Sequence, residues 1–88
     1  MKVEYLKTFI KDSQRITDAN LKVQLMEVID KFKKAENLGE LSNIKKMKGN
    51  PEAYRIRVGK YRLGFYYGGE TLDLARFVKR EDIYKLFP

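Results

Sequence analysis

The length, charge and residue types of the chain limit what it can be. Its 88 residues suffice for one small domain with one packed core, which we place at residues 1–88. The chain has no cysteine and no histidine, and its carboxylates are scattered, so we expect neither disulfides nor a metal or other cofactor. The N-terminal residues are too charged for a signal peptide, and no apolar run is long enough to cross a membrane. We therefore predict a cytoplasmic protein without a membrane partner.

The net charge of +7 is concentrated in the second half of the chain. Residues 1–44 carry 8 basic and 7 acidic side chains, whereas residues 45–88 carry 11 basic and 5 acidic ones. A local excess of this kind indicates an anionic partner that binds one surface, and nucleic acid is the leading candidate. A basic surface that is merely solvated is the alternative.

The first half of the chain reads as one short strand followed by two helices. Val3 and Tyr5 alternate with charged residues, as in a strand, and residues 6–16 have the pattern of a helix. Thr17 or Asp18 offers a capping oxygen for a second helix, which we expect to run to about Glu36 before Gly39. The apolar residues of this second helix recur at helical spacing and should pack on a sheet: Leu21, Leu25, Val28, Ile29 and Phe32.

The next segment is predicted to be a short helical turn. Leu41, Ile44 and Met47 fall three residues apart on one side, and residues 49–51 (GNP) end the turn. The opposite side carries three lysines, which form either a solvated face or a collar that contacts phosphates: Lys45, Lys46 and Lys48.

From Tyr54 onward the period changes from helical to two, which indicates strands. Residues 54–58 and 61–67 alternate apolar and polar side chains around a turn at Gly59 and Lys60. Residues 71–78 give a third strand after a glycine turn, and residues 80–87 close the chain as a short helix. Helices followed by hairpins predict an α+β fold, with the N-terminal helices on one face of a small antiparallel sheet and a short C-terminal helix.

The hairpin turn predicts which side chains lie opposite each other. With a two-residue turn at 59–60, Arg57 faces Arg62 and Arg55 faces Gly64, on the side of the sheet opposite to the apolar residues. Like charges placed directly across a ladder are destabilising, so folding gives no reason for this pair. A polyanion that spreads its charge over both guanidinium groups does give a reason.

Extending the register through the glycine turn completes the predicted surface. It places Ala75 beside Arg62, Asp73 beside Gly64 and Thr71 beside Tyr66, so Tyr66 and Asp73 join the RNA-binding candidates. The small residues Gly64 and Ala75 should leave a shallow floor that a ligand can approach. Asp73, the one acid on this surface, could pair with Arg55, and Lys60 in the turn adds a further cation.

The C-terminal half resembles the signature of the RelE/ParE superfamily of type II toxins, and most closely the small RelE-like mRNA interferases. The resemblance lies in residues 54–63 (YRIRVGKYRL), the third strand, and residues 79–84 (KREDIY). The opening and closing residues also resemble small RelE-type members, so the resemblance extends over nearly the whole chain. It implies a ribosome-dependent endoribonuclease that cleaves mRNA in the ribosomal A site and is silenced by a cognate antitoxin.

The resemblance also implies a chemistry and its residues. The ribose 2′-OH would attack the adjacent phosphate without a metal, with Arg62 and Arg80 stabilising the phosphate and Arg80 a candidate proton donor. Arg55 and Arg57 match further family positions on the first hairpin strand, and Tyr84 would stack on or orient a base.

The general base is left open by the sequence. Many relatives have histidine where this chain has Lys79, and the arginines remain protonated at ordinary pH. The candidates are Lys79, Tyr84 and Asp73, in that order, or a base supplied by the ribosome. Two other functions compete with cleavage: a ParE-like inhibitor that binds DNA gyrase without catalysis, and an inactivated toxin that survives as an RNA- or antitoxin-binding module.

Overall fold

The computed structural model describes all 88 residues, arranged as one mixed sheet with helices on one face. No helix has both the length and the apolar character needed to span a bilayer. The elements follow one another in this order: β1 (Lys2–Tyr5), α1 (Lys7–Gln14), α2 (Ala19–Lys34), a 3₁₀ turn (Leu38–Glu40), β2 (Ile44–Lys46), β3 (Ala53–Val58), β4 (Tyr61–Tyr67), β5 (Thr71–Lys79) and α3 (Ile83–Leu86).

The sheet confirms the predicted α+β class. Its strand order is β1-β5-β4-β3-β2, and every neighbouring pair is antiparallel except β1 with β5. The first strand can lie beside the last because α1 and α2 carry the chain from the β1 edge of the sheet to the opposite edge, where β2 lies. The predicted hairpin register is confirmed, since Arg57 pairs with Arg62 and Arg55 with Gly64.

The main core lies between the two N-terminal helices and one face of the sheet. Of the two predicted capping residues, Thr17 and Asp18, it is Asp18 that caps α2: its Oδ1 accepts hydrogen bonds from the backbone N–H groups of Asn20 and Leu21 at 2.9 and 3.2 Å. Phe32 of α2 is fully buried, and its ring centroid lies 5.0 Å from that of Phe65. This face of β3, β4 and β5 is thus covered by the helices, and only the other face is open to a ligand.

The predicted helical turn at 41–47 is wrong, because residues 44–46 form strand β2. Ile44 pairs with Ile56 and Lys45 with Arg55, and Asn43 enters the strand with a positive φ of 66°. The three apolar residues do not share one face: Leu41 and Ile44 pack on the main core, whereas Met47 packs on the other side of the sheet. Pairing with β3 satisfies backbone groups that a solvated turn would leave to water.

The register predicted between β4 and β5 is also wrong. Arg62 pairs with Val78 and Gly64 with Arg76, and Asp73 lies opposite Tyr66 rather than Gly64. Two features produce the shift: the connection holds three residues, 68–70, and a bulge at the Gly64/Phe65 step leaves Ala75 without a partner.

Helix α1 covers the β5 edge beyond the point where β1 ends. The Thr8 hydroxyl donates to the carbonyl of Ala75 at 2.6 Å, and the buried carboxylate of Asp12 accepts the backbone N–H of Phe77 at 3.0 Å. Asp12 also accepts from Arg76, whose Nε lies 2.7 Å away. Side chains of α1 therefore replace the missing strand partner at this edge.

Candidate nucleic-acid interface

An open groove crosses the sheet face that points away from α1 and α2. We call it the arginine groove; its volume is about 690 Å³. Its walls come from β2, β3, β4 and the C-terminal segment, and its lining residues are Asn43, Lys45, Arg55, Arg57, Arg62, Arg80, Glu81, Ile83 and Tyr84. Regions far apart in the chain thus contribute four guanidinium groups to one surface.

Two strands and one turn fix where the arginines lie. Arg55 and Arg57 share a face of β3, and Arg62 stands directly across from Arg57 on β4. Arg80 follows the last residue of β5, and its backbone N–H donates to the carbonyl of Lys60 at 3.0 Å. This bond continues the β4–β5 pairing and brings the end of β5 alongside the β3–β4 turn, which places Arg80 beside the hairpin arginines.

The arginines of the groove form no ion pairs. The ion pairs of the protein join Lys2 to Glu4, Lys34 to Asp30 and Arg76 to Asp12, so none involves a groove arginine. Burial lowers the pKa of the Arg62 guanidinium, and its three arginine neighbours in the groove lower that pKa further. Four guanidinium groups held close together without ion pairs form a site that an anion stabilises.

Arg62 is oriented by the backbone as well as by its strand. Its Nη1 donates to the carbonyl of Tyr61 at 2.8 Å and to that of Gly59 at 3.3 Å. The guanidinium is therefore held at the mouth of the turn, with its remaining N–H groups free to meet phosphate oxygens.

Tyr84 supplies the exposed aromatic surface of the groove. Tyr84 belongs to α3 and is 67% exposed. The guanidinium carbon of Arg55 lies 5.2 Å from the centroid of the Tyr84 ring. A cation above an aromatic face is attracted by the ring quadrupole, so Arg55 and Tyr84 stabilise each other's position. The free part of the ring is available to stack on a base.

A second, smaller core holds α3 in place on this side of the sheet. We call it the outer core; its buried members are Met47, Ala53, Ala75, Ile83 and Phe87. Ile83 and Phe87 flank Tyr84 along the chain and are 1% and 3% exposed. Burial of these two neighbours fixes the short helix and leaves Tyr84 facing the groove.

The outer core also corrects the predicted open floor. A Cβ built on Gly64 would lie 2.7 Å from the ring of Phe87, so the space above this glycine is filled by the C-terminal segment. Gly64 is small because the Phe87 ring packs on it, and Ala75 is buried in the same outer core, so that part of the sheet cannot accept a ligand.

The structure brings together some of the predicted site residues and separates others. Six line the arginine groove: Lys45, Arg55, Arg57, Arg62, Arg80 and Tyr84. Lys60 lines an adjoining recess with Gly59, Arg57, Arg62 and Arg80. Lys46, Lys48, Tyr66, Asp73 and Lys79 lie outside both.

Each residue that lies outside has a structural reason. Lys79 pairs with Tyr61, whose ring packs on Phe77 at the helix-covered face. Lys46 pairs with Tyr54 on that same side, and Lys48 belongs to the turn after β2. Tyr66 packs its ring against Phe87 at 5.1 Å in the outer core. Asp73 stands opposite Tyr66 and makes no ion pair with Arg55.

Three groove residues were not predicted from the sequence: Asn43, Glu81 and Ile83. Asn43 required knowledge of β2. Glu81 directly follows Arg80 in the segment that resembles the family signature, and this proximity to a predicted site residue could have identified it.

Comparison with known proteins assigns the chain to a family. No family model matches it. It is 37% identical over 89 residues to Toxin RelE3 of Methanocaldococcus jannaschii, and the match covers 100% of both chains. This chain belongs to the RelE toxin family. A second RelE relative, Putative toxin RelE1 of the same organism, is 32% identical over 85 residues, which cover 94% of this chain and 93% of the relative.

Solved structures agree with the RelE assignment. The fold matches a chain in the crystal structure of the RelB–RelE antitoxin–toxin complex from Methanococcus jannaschii, with a TM-score of 0.80 and 33% identity. The match covers 97% of this chain and 99% of the other. The RelE fold predicted from the sequence is thereby confirmed.

Proposed function

We propose that this RelE-family chain is the toxin of a type II toxin–antitoxin pair and cleaves messenger RNA on the ribosome. The observation that carries the proposal is the arginine groove, in which four guanidinium groups lie together without ion pairs and beside an exposed aromatic ring. Phosphates and bases of a single RNA strand offer the complementary groups.

The chemistry that fits the groove is transfer within the RNA itself. The ribose 2′-oxygen bonds to the adjacent phosphorus, the bond from phosphorus to the 5′-oxygen breaks, and the products are a 2′,3′-cyclic phosphate and a 5′-hydroxyl. Negative charge develops on the non-bridging oxygens in the transition state. Arg62 and Arg80, which both line the groove, would bind those oxygens, and Arg80 is our candidate for donating a proton to the leaving oxygen.

The other groove residues would bind and orient the RNA. Arg55 and Arg57 extend the cationic surface along β3, and Lys45 and Lys60 lie at its two ends. Tyr84 would stack on a base next to the cleaved bond, which holds the 2′-oxygen close to its phosphorus.

Mapping RNA 5′ ends after induction of the protein tests the proposal. We expect growth arrest with new 5′ ends inside coding sequences, and loss of both when Arg62→Ala or Arg80→Ala is expressed instead. The matched control is Arg15→Ala, which removes an exposed arginine outside the groove. Growth arrest with intact messages and inhibited DNA supercoiling would instead identify a gyrase inhibitor, and normal growth would identify an inactive binding module.

Purified components test the need for the ribosome. We expect cleavage of messages bound to ribosomes with a codon in the A site, and little cleavage of the same RNA alone. Equal cleavage of free and ribosome-bound RNA would overturn this part of the proposal.

The proposed protein partner is an antitoxin. Support comes from the relative of known structure, a RelE chain in a complex with RelB. We expect the antitoxin to cover the arginine groove and abolish cleavage, and co-expression should restore growth. An antitoxin that binds while leaving RNA cleavage unchanged would contradict this assignment.

A further inference from the structure

Glu81 lies in the groove but has no role in the RNA binding and phosphate stabilisation proposed above. Glu81 is exposed and lines both the arginine groove and the adjoining recess, together with Arg57, Arg62 and Arg80. It is the only carboxylate that lines either cavity, yet it forms no ion pair with any of these arginines within 4.0 Å. A carboxylate at this position weakens the attraction for RNA, so phosphate binding does not explain it.

The backbone around Glu81 is held in place. The N–H of Arg80 donates to Lys60 at 3.0 Å, and the N–H of Asp82 donates to Lys79 at 2.9 Å. Ile83, two residues later, is buried in the outer core. Glu81 is therefore presented at a fixed point on the rim, between the turn of the hairpin and Tyr84.

The proposed cleavage also needs a proton acceptor. Lys79 and Asp73 lie outside the groove, and a guanidinium or ammonium group, as in the arginines, Lys45 and Lys60, has donors but no acceptor. Tyr84 must lose its own proton before it can accept another, whereas a glutamate carboxylate accepts one directly.

We infer that Glu81 is the general base of this site, a role that rests on the proposed RNA cleavage. Its carboxylate takes the proton of the ribose 2′-OH as the 2′-oxygen bonds to phosphorus. The electron pair of the broken bond goes to the 5′-oxygen, which receives a proton from Arg80, and Arg80 regains a proton from water. Glu81 is left protonated and returns its proton to water after the product leaves.

The variant Glu81→Gln separates catalysis from binding, because loss of the carboxylate removes a charge that repels RNA and also removes the proposed proton acceptor. Without a negative charge, RNA binds as tightly as in the unaltered protein or more tightly. Without a proton acceptor, the single-turnover cleavage rate falls by about 100- to 10,000-fold. Binding is measured on programmed ribosomes whose A-site codon carries 2′-deoxyribose at the cleavage position, and cleavage is measured with the all-ribose message.

Glu70→Gln is the matched control, because it removes the same charge from the exposed β4–β5 turn. We expect it to change neither quantity. A Glu81→Gln protein that cleaves within about threefold of the unaltered protein would overturn the inference, and so would one that no longer binds, since Glu81 would then act on the shape of the groove. Failure of the unaltered protein to cleave would instead refute the proposed function itself.

Discussion

At the scale of single residues, the defining feature is a pair of like charges that folding does not require. Arg57 and Arg62 stand opposite each other on β3 and β4, and the pKa of Arg62 is lowered by burial and by its arginine neighbours. A lowered pKa on a cationic group means that the folded state disfavours its charged form, so at neutral pH this charge reduces stability. The clustered charges of the groove therefore lower the stability of the free protein and favour the binding of an anionic ligand.

Arg57→Gln should make the protein more stable. It removes the repulsion with Arg62, and Arg57 forms no hydrogen bond or ion pair that would be lost. We expect the free energy of unfolding to rise by about 0.2 to 1 kcal/mol at low salt, and by less at high salt where the charges are screened. Urea denaturation at two salt concentrations measures this, with Arg15→Gln as the control. A lower midpoint at low salt would show that Arg57 supports the fold.

At the scale of elements, β5 joins the fold to the site. On one edge it is bonded to β1 and then to side chains of α1, and its last residue leads into the segment that carries Arg80, Glu81 and Tyr84. Arg76 connects these parts, since it binds Asp12 of α1 and its Nη1 donates to the carbonyl of Leu86 at 3.4 Å.

Asp12→Ala should be strongly destabilising. It removes the carboxylate partner of Arg76 and the acceptor of the buried N–H of Phe77, and breaking a buried ion pair on one side costs about 3 to 5 kcal/mol. Asp12→Asn should cost less, because its amide oxygen still accepts from Phe77. Chemical denaturation measures both. The control is Asp30→Ala, which breaks the exposed pair with Lys34 and should change stability little. Similar effects of Asp12→Ala and Asp30→Ala would contradict the assigned role.

Phe87→Ala should affect activity more than stability. Phe87 packs over Gly64 and holds the segment that bears Tyr84, but it lies outside the main core. We expect RNA cleavage to fall at least tenfold, and the free energy of unfolding to fall by less than the roughly 3 to 5 kcal/mol typical of a central Phe→Ala change. Phe32→Ala in the main core provides the comparison for stability. Full cleavage activity in Phe87→Ala would show that the outer core does not position the groove.

The sequence predicted those parts of the molecule that depend on local pattern. Alternation through residues 54–63 gave the hairpin register and its arginine face, and Asp18 gave the start of α2. Strand β2 was missed because three residues are too few to show a period of two, and the apolar residues around it happen to fall three apart. The bulge in β4–β5 and the ring of Phe87 above Gly64 depend on contacts that are distant in the chain, which no local pattern records.

At the scale of the whole molecule, the sheet separates the main hydrophobic core from the candidate site. The main core packs on one face with both long helices, while the groove and the outer core occupy the other. The C-terminal half carries most of the net charge because it contributes nearly all of the groove.

RNA binding by this protein should depend steeply on salt. If the four groove arginines neutralise about four phosphates, the logarithm of the binding constant should fall with the logarithm of salt concentration with a slope of about −3. Between 50 and 200 mM salt this corresponds to a loss of roughly 50-fold in affinity. Arg80→Ala should reduce the magnitude of the slope by about 0.7. Titrations at several salt concentrations give these slopes, and a slope near zero would mean that the arginines do not contact phosphates.

The small outer core allows the protein to lose its activity without losing its fold. Ile83 and Phe87 of the C-terminal segment are secured by three other buried residues, Met47, Ala53 and Ala75, and none of the five belongs to the larger core on the other face of the sheet. Detachment of residues 80–88 would remove Arg80, Glu81 and Tyr84 from the groove, while circular dichroism and thermal melting still reported an intact protein. A preparation that melts normally but does not cut RNA is thus compatible with an undamaged chain whose last nine residues have come loose.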